Sequence, residues 1–208
     1  MSKVICISRE YGSGGHEIAT KVAERLNIPC IDKEMMEQIM IDSDLPEKML
    51  VAADEKRKSP LRYTSVYEGK YKEFYGMAPN DILFELQKRY IREEAEKGDC
   101  VIVGRCAEEI LKDMHHLVVN IFITAPVEWR VRRKMEEAGT QDRKRIEKEI
   151  KKVDKHRLSY YEYHTGKDWG IPHNYDVCLN SASMGIDRIV NLITESFETI
   201  DREADKRE

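Results

Sequence analysis

The chain has 208 residues, of which 41% are hydrophobic and 36% are charged. This length suits a single domain, and the hydrophobic fraction is high enough for a packed core, which argues against a disordered chain. The formal net charge is −4, so the overall charge gives no argument for a nucleic-acid-binding protein.

Short apolar runs alternate along the chain with stretches of helical spacing. The runs that predict buried strands are, in chain order, Lys3–Ile7, Ile28–Ile31, Cys100–Val103, Leu117–Ile123 and Asp176–Leu179. Between them apolar residues recur every three or four positions, as in Ile18, Val22 and Leu26, and Asn80 is a candidate N-cap of a later helix. This alternation predicts an α/β fold of three layers, a mostly parallel sheet flanked on both faces by helices.

Two segments interrupt the alternation within a predicted single domain, 1–208. Residues 42–79 contain tyrosines spaced by four, namely Tyr63, Tyr67, Tyr71 and Tyr75. These rings either pack the segment onto the domain or form part of a nucleobase pocket. Residues 136–175 form the second insertion. Because α/β folds carry substrate caps and lids in such insertions, 42–79 and 136–175 are candidates for these functions.

Positive charge is concentrated between residues 130 and 157, where 12 Lys or Arg accompany 6 Asp or Glu. Such a block is typical either of a site for a polyanion, such as a nucleotide phosphate, or of a solvated helix face. The five cysteines include no CxxC pair, and we expect reduced, mostly buried thiols. With no apolar run near the length of a membrane span and no room for a signal peptide, we predict a cytoplasmic protein without membrane contact.

The stretch ISREYGSGGHEIA, residues 7–19, has the layout of a phosphate-binding P-loop, GxxxxGK[ST], but contains no lysine. If Gly14 is the last motif glycine, Gly15 stands at the lysine position and His16 at the hydroxyl position. If Gly15 is the last, His16 and Glu17 take those positions. Ile18, the first apolar residue of the following helix, comes three residues after Gly15, and this spacing favours the first alternative.

The missing positive charge has a candidate replacement within the same loop. Arg9 stands at the position of the first motif glycine, and its guanidinium can hold a phosphate with two hydrogen bonds. His16 either donates a hydrogen bond, binds a metal or is a polar surface residue, and Ser13 is the hydroxyl that the loop retains. The metal ligands stay open, since Glu10, Glu17 and Asp32 are all carboxylates within reach.

A second motif, VIVGRCAEEIL, has an apolar strand that runs into Gly104 and Arg105 before a helix. An arginine at the carboxyl end of a strand is well placed to bind an anion over the sheet, although it can also simply close a turn.

With these motifs, the sequence resembles the cytidylate kinase-like family, relatives of the P-loop nucleoside monophosphate kinases that lack the P-loop lysine. The resemblance extends from Lys3 to about Ile193, and its segments are ISREYGSGGHEIA, IPCIDKEMM, VIVGRCAEEIL, NIFITAPVEWRVRR, KKVDKHRLSYYEYHTGKDWG and NYDVCLNS. It implies a P-loop kinase fold in which 42–79 is the acceptor-binding insertion and 136–175 is a helical lid. It also implies transfer of the ATP γ-phosphoryl group to a nucleoside monophosphate such as CMP or dCMP, with Mg²⁺. The implied partners are small nucleotides and no nucleic acid polymer.

The resemblance also implies roles for individual residues. Those that would surround the ATP phosphates are Gly12, Ser13, Gly14, Gly15 and His16. Those at the acceptor site are Asp32 and Arg105. The cations around the transferring phosphoryl group, including the candidate replacement for the lysine, are Arg9, Arg130, Arg133, Lys155 and Arg157.

The chain departs from the cytidylate kinases at the P-loop lysine and at the aspartate of their GRD motif, which is Cys106 here. The residues that contact the base cannot be located within 42–79. We therefore expect a slow or differently organised kinase. Two alternatives stay open: a kinase for another small molecule, such as a sugar, a shikimate-like acid or an unusual nucleotide, and a sensing domain that binds nucleotide without transferring phosphate.

Overall fold

The computed structural model describes residues 2–32, 74–114 and 117–204. The strands within these ranges are β1 (Lys3–Arg9), β2 (Cys30–Ile31), β3 (Cys100–Val103), β4 (Leu117–Thr124) and β5 (Val177–Asn180). The helices are α1 (Gly15–Leu26), α2 (Pro79–Lys97), α3 (Ala107–Leu111), α4 (Val127–Glu137), α5 (Arg143–Thr165), α6 (Ser181–Met184) and α7 (Ile186–Ala204), with a short 3₁₀ turn at Pro172–Asn174.

The strands form one parallel sheet in the order β2-β3-β1-β4-β5. The central strand β1 pairs with β3 on one side and along its whole length with β4 on the other, from Lys3 opposite Leu117 to Arg9 opposite Ile123. All strands therefore end at the same edge, where the glycine-rich loop follows β1 and the Gly104–Arg105 turn follows β3.

Side chains of the central strand alternate between two apolar layers. Ile5 and Ile7 pack with residues of α1 and α7 on one face. Val4 and Cys6 pack with residues of α2 and α3 on the other. The central strands β1 and β3 are buried on both faces, as expected for a parallel sheet between helices. The predicted three-layer α/β fold is thus confirmed.

Several predicted boundaries were wrong. The strands β1 and β4 extend beyond their predicted ends at Ile7 and Ile123, to Arg9 and Thr124. The helix α2 begins at Pro79 with Ala78 at its N-cap, so Asn80 lies inside the first turn and is not the cap. Proline suits a first helical turn, where its missing N–H costs no hydrogen bond. The predicted strand from Ile28 shortens to Cys30–Ile31 because the Ile28 N–H still donates to Ala23 at the end of α1.

The strand predicted at Asp176–Leu179 runs one residue later, as Val177–Asn180. Asp176 is instead held just before the strand, where its carboxylate accepts the Asn120 N–H at 2.7 Å and its own N–H donates to the Asn120 carbonyl at 2.8 Å. These two hydrogen bonds to β4 align the start of the edge strand β5.

Most of the predicted acceptor-binding insertion, 42–79, lies outside the described residues, and so do three of its four tyrosines, Tyr63, Tyr67 and Tyr71. The fourth, Tyr75, is exposed. The second insertion, 136–175, contains the 23-residue helix α5, which packs on α4 through Ile146, Ile150 and Val131. Its function as a lid stays a prediction.

All five cysteines have free thiols, and three of them are buried: Cys6, Cys100 and Cys106. Burial raises the pKa of the Cys100 thiol to about 12 and raises that of Cys6 as well. In the part of the chain that the structure describes, no helix combines the length and apolar character needed to cross a membrane.

Candidate functional site

The glycine-rich loop joins the end of β1 to the start of α1. Gly12 and Gly14 both have left-handed backbones, with φ of 81° and 80°, and Gly14 is the N-cap of α1. Left-handed backbone favours glycine because it has no Cβ. The turn brings the first N–H groups of α1 to the carboxyl edge of the sheet, which is the arrangement that binds phosphate in P-loops.

Gly15, the first residue of α1, has no space for a side chain. A Cβ at this position would lie 2.4 Å from the Cβ of Arg9 and 2.9 Å from its Cγ. Because both atoms belong to the fixed base of the arginine side chain, a neighbouring residue would have to shift to admit even alanine. At the position where the favoured P-loop register has lysine, the protein therefore places the stem of Arg9.

Hydrogen bonds to residues at the ends of β4 and β5 hold the loop in place. The Ser13 side chain is fully buried, and its hydroxyl donates to the Glu10 carbonyl at 2.8 Å. The Ser181 hydroxyl donates to the Ser13 carbonyl at 2.6 Å. The Glu10 carboxylate accepts hydrogen bonds from the Thr124 hydroxyl at 2.6 Å and the Ala125 N–H at 2.9 Å. The Ser13 hydroxyl is therefore used in a hydrogen bond within the loop itself.

The long helix α5 holds the other side of the loop. Asp154 accepts the Tyr11 N–H at 2.7 Å, and Glu149 accepts the Tyr11 hydroxyl at 2.6 Å. One turn further along the helix, the Arg157 guanidinium donates to the Arg9 carbonyl at 2.9 Å. Two contacts from this helix thus fix the loop backbone on either side of Glu10, and the third holds the Tyr11 side chain.

Three arginines meet in one cavity above the ends of β1 and β3, which we call the arginine cavity. Its lining includes Arg9, Arg105, Arg157, Tyr160, Tyr161 and Trp169. The volume is about 20 Å³, so these side chains have to move apart before a phosphoryl group can enter. Three arginines from three separate elements line this one cavity, and such a concentration of positive charge attracts anions.

Arg105 reaches this cavity from an unusual turn. Gly104, Arg105 and Cys106 all have left-handed backbones, with φ of 74°, 63° and 56°. A left-handed conformation costs roughly 1–3 kcal/mol for a residue with a side chain and is found preferentially at functional sites. The Arg105 side chain is only 4% exposed. A buried cation in a strained turn is consistent with a site that holds an anion.

Two of the predicted cations have acidic partners away from the cavity. Arg130 is buried and donates to Asp154 at 2.6 Å and to the Tyr11 carbonyl at 3.2 Å, with Glu10 at 3.4 Å. Arg133 donates to Glu17 at 2.7 Å. Burial alone would raise the pKa of Glu17, but hydrogen bonds from Lys21 and Arg133 outweigh burial and lower it.

The predicted cations thus fall into two groups. The structure brings Arg9, Arg105 and Arg157 together in the arginine cavity. Arg130 joins the loop to α5, and Arg133 joins α4 to α1. Lys155 is exposed on α5 and is not among the described residues that line the cavity.

Beside the cavity lies a buried acidic and phenolic cluster. Burial raises the pKa of the Glu108 carboxyl on α3. Burial, followed by the charge of Glu108, raises the pKa of the neighbouring Tyr161 hydroxyl. Burial likewise raises the pKa of Tyr175 to about 12, and the Tyr175 hydroxyl accepts the Gly170 N–H at 3.2 Å. All three pKa shifts disfavour the charged form, and Tyr161 itself lines the arginine cavity.

The other two predicted polar residues meet at the start of α1. His16 is exposed, and its Nε2 lies 3.8 Å from a carboxylate oxygen of Asp32, which follows β2. Of the three candidate metal ligands, Glu10 and Glu17 are engaged in the hydrogen bonds given above. Within the described residues no three acidic, histidine or cysteine side chains gather as a metal cage.

Sequence reasoning missed the residues that hold the loop: Tyr11, Asp154, Glu149 and Ser181. Asp154 lies within KKVDKHR, a segment from which only the cations were selected. The only available signal was an acidic residue amid a basic block, which in a helix usually indicates a local ion pair. Its contact with Tyr11 spans 143 positions of the chain, and no local pattern reveals such a pairing.

The comparisons with known proteins agree with the fold described above. The family model described as the cytidylate kinase-like family matches residues 4–183. A solved structure of an uncharacterized protein from Eubacterium ventriosum ATCC 27560 is similar, with 29% identity, a TM-score of 0.71, and coverage of 95% of this chain and 99% of that one. No protein with a curated description matches the chain significantly.

More distant structures share the fold. The shikimate kinase from Bacteroides thetaiotaomicron is 15% identical, with a TM-score of 0.52 and coverage of 94% of this chain and 98% of that one. The gluconokinase from Sinorhizobium meliloti 1021 is 12% identical, with a TM-score of 0.56 and coverage of 99% and 97%. At these identities the likeness concerns the fold alone.

Proposed function

The chain belongs to the cytidylate kinase-like family, and from this premise we propose that it transfers the γ-phosphoryl group of ATP to a nucleoside monophosphate, CMP or dCMP. The observation that carries the proposal is the arginine cavity. Arg9, Arg105 and Arg157 line it beside a glycine-rich loop at the carboxyl ends of β1 and β3. Ligands of open α/β sheets bind at this edge.

Phosphoryl transfer needs positioned cations more than covalent chemistry from the protein. In the proposed reaction, an oxygen of the acceptor phosphate forms a bond to the γ-phosphorus. The bond from that phosphorus to the bridging oxygen breaks, and its electron pair leaves with ADP. The negative charge spreads over the equatorial oxygens of the transferring group, and the guanidiniums that surround this group once it is bound stabilise that charge.

In this proposal each arginine has its own function. Arg105, held in its left-handed turn, binds the acceptor phosphate. Arg9 binds a phosphate of ATP, and Arg157 from α5 binds the transferring group between them. The N–H groups at the start of α1, around Gly14 and Gly15, hold the remaining phosphate oxygens.

The residues present also fit Mg²⁺, which usually binds one or two carboxylates together with nucleotide phosphates and water. Asp32, which follows β2 near the start of α1, would be its protein ligand. When bound, the ion neutralises phosphate charge. The Ser13 hydroxyl is not offered to this ion, because it donates to the Glu10 carbonyl.

The test is ADP release from Mg-ATP by the purified protein, with CMP, dCMP, UMP, AMP or GMP as acceptor and with no acceptor. Shikimate and gluconate test the alternative of another small-molecule kinase. We expect release with CMP or dCMP, and a loss of kcat/KM for the acceptor of about 10²–10³-fold in Arg105→Ala. Arg188→Ala, which removes an exposed arginine from α7, is the charge-matched control and should retain full activity.

ADP release without any acceptor would show that the protein is an ATPase and would contradict the proposed kinase activity. Full activity in a correctly folded Arg105→Ala protein would contradict the function assigned to Arg105.

A second candidate function is nucleotide sensing without transfer. The observation that favours it is the loss of both usual P-loop groups at once, since Arg9 fills the space beside Gly15 and the Ser13 hydroxyl is turned inward. Nucleotide that raises the melting temperature, with no ADP released for any acceptor, would support this function over the kinase.

A further inference from the structure

The glycine-rich loop differs from the P-loop motif at two positions, and the two changes are reciprocal. The motif GxxxxGK[ST] has glycine at its first position and lysine at its seventh. Here the first position is Arg9 and the seventh is Gly15. One position has gained a long cationic side chain, and the other has lost one.

The two positions are in contact in the folded protein. A Cβ on Gly15 would lie 2.4 Å from Arg9 Cβ, 2.9 Å from Arg9 Cγ and 3.4 Å from Ile123 Cβ. The two short distances are both to Arg9, and the third is ordinary contact. The backbone does not explain the glycine, because Gly15 begins α1 without the left-handed conformation seen at Gly12 and Gly14. Of the three atoms nearest to such a Cβ, only the two of the Arg9 side chain are too close to admit it.

We infer that Arg9 and Gly15 are an exchanged pair, in which the arginine takes over both the space and the phosphate-binding charge of the P-loop lysine. The inference rests on the proposed function only in expecting a nucleotide phosphate as the anion. The Arg9 side chain begins where a lysine at position 15 would begin, and it continues into the arginine cavity. A planar guanidinium there offers paired hydrogen bonds to a phosphate, where lysine offers a point charge.

The exchange makes opposite predictions for single and double variants. Alanine is normally better than glycine in a helix, yet Gly15→Ala should lower the melting temperature by several degrees, and Gly15→Lys should do the same. In an Arg9→Gly background neither change should lower it. The matched control is Arg9→Ala, which removes the charge but keeps the Cβ at 2.4 Å, so that Arg9→Ala/Gly15→Lys should remain destabilised.

Anion binding gives the second readout, by calorimetric titration with Mg-ATP and with inorganic tripolyphosphate. Arg9→Gly should weaken binding of both at least 10-fold. Arg9→Gly/Gly15→Lys should restore the affinity to within a few-fold of the starting protein. Binding that is unchanged in Arg9→Gly, or Gly15→Lys alone being as stable as the starting protein, would overturn the inference.

These outcomes are separable from the failure of the proposed function. If the protein binds Mg-ATP but releases no ADP with any acceptor, the kinase fails, while the recovery of affinity in the double variant still supports the exchanged pair. If neither Mg-ATP nor tripolyphosphate binds, Arg9 does not serve a phosphate and the inference is wrong. If Arg9→Gly releases ADP at the normal rate, the proposed kinase activity is supported and the inference of an exchanged pair is wrong.

Discussion

Among individual residues, Glu108 has an electrostatic environment opposite to that of its neighbour in sequence. Burial beside Tyr161 raises the pKa of the Glu108 carboxyl. For Glu109, burial would also raise the pKa, but hydrogen bonds from Lys112 and Lys167 lower it. One side chain of α3 therefore resists ionisation in the folded protein, and the next favours it.

This contrast predicts how stability changes with pH. A raised pKa means that folded Glu108 keeps its proton to higher pH than the unfolded chain. The free energy of unfolding therefore falls as pH rises above the ordinary value of about 4.5, until the pH passes the folded pKa. Glu108→Gln removes this cost, so we expect it to raise the melting temperature at pH 7 by a few degrees, with the difference vanishing below about pH 4.5.

The control is Glu109→Gln, for which the expected change in melting temperature at pH 7 has the opposite sign. A lowered pKa stabilises the folded protein above the unfolded pKa, and this stabilisation is lost as pH falls through the folded value. Glu109→Gln should therefore lower the melting temperature at pH 7 and have little effect in acid. Thermal melts of both variants from pH 4 to 8 measure this, and shifts of the same sign in the two variants would contradict the assignment.

At the scale of secondary-structure elements, α5 is joined to the loop through Asp154. This carboxylate accepts the Tyr11 N–H and also pairs with buried Arg130. Its removal leaves a buried N–H and a guanidinium with fewer acceptors. We expect Asp154→Ala to lower the free energy of unfolding by about 1–3 kcal/mol, measured by urea denaturation, and to weaken Mg-ATP binding because the loop loses its outer support.

Tyr11→Phe provides the matched comparison for Asp154→Ala. It removes only the hydroxyl that donates to Glu149 and keeps both the ring and the N–H contact with Asp154. We expect a smaller loss, about 1 kcal/mol or less, with little change in nucleotide affinity. If Tyr11→Phe weakened Mg-ATP binding as much as Asp154→Ala, the N–H contact would not be what holds the loop.

Elements were predictable from the sequence wherever a local pattern decides them. The apolar runs of β1, β3 and β4 are continuous because both faces of these strands are buried, and periodic apolar residues such as Ile18 and Val22 mark α1. The ends of elements were less predictable. Arg9 extends β1 because it pairs with Ile123 across the sheet, and a polar residue gives no local sign of such pairing.

The candidate site was predictable only in part, for the same physical reason. The residue types were identified from motifs, including Arg9, Arg105 and Arg157. Which of them share a cavity depends on contacts between distant segments, and so does the support of the loop by Ser181, whose hydroxyl reaches Ser13 across 168 positions. The contact of Arg9 with Gly15 depends on how the loop folds back on itself, which could not be predicted from the sequence motif.

For the whole molecule, the two ends of the sheet have different properties. The carboxyl edge gathers the glycine-rich loop and the arginines. Between the sheet and α7, away from that edge, lies an apolar cavity of about 190 Å³ whose lining includes Ile5, Val119, Ile121, Leu192 and Phe197. The residues given for this cavity are therefore distinct from those of the candidate site.

This separation predicts a stabilising substitution that leaves the site unchanged. Val119→Ile adds one methylene toward the cavity and keeps the β-branched shape that suits β4. We expect the free energy of unfolding to rise by about 0.5–1 kcal/mol, with unchanged affinity for Mg-ATP. A change in affinity without a change in stability would show that the cavity communicates with the loop.

A tryptophan in the wall of the arginine cavity allows anion binding to be followed by the protein's own fluorescence. Trp169 lines the cavity and packs edge-on against Phe122, with ring centroids 5.4 Å apart. The chain has only one other tryptophan, Trp129, whose ring lies under the Arg133 guanidinium on α4. In a Trp129→Phe protein all indole emission would come from beside the three guanidiniums, so an arriving anion that moves them apart would be seen directly as a change in fluorescence, without any label.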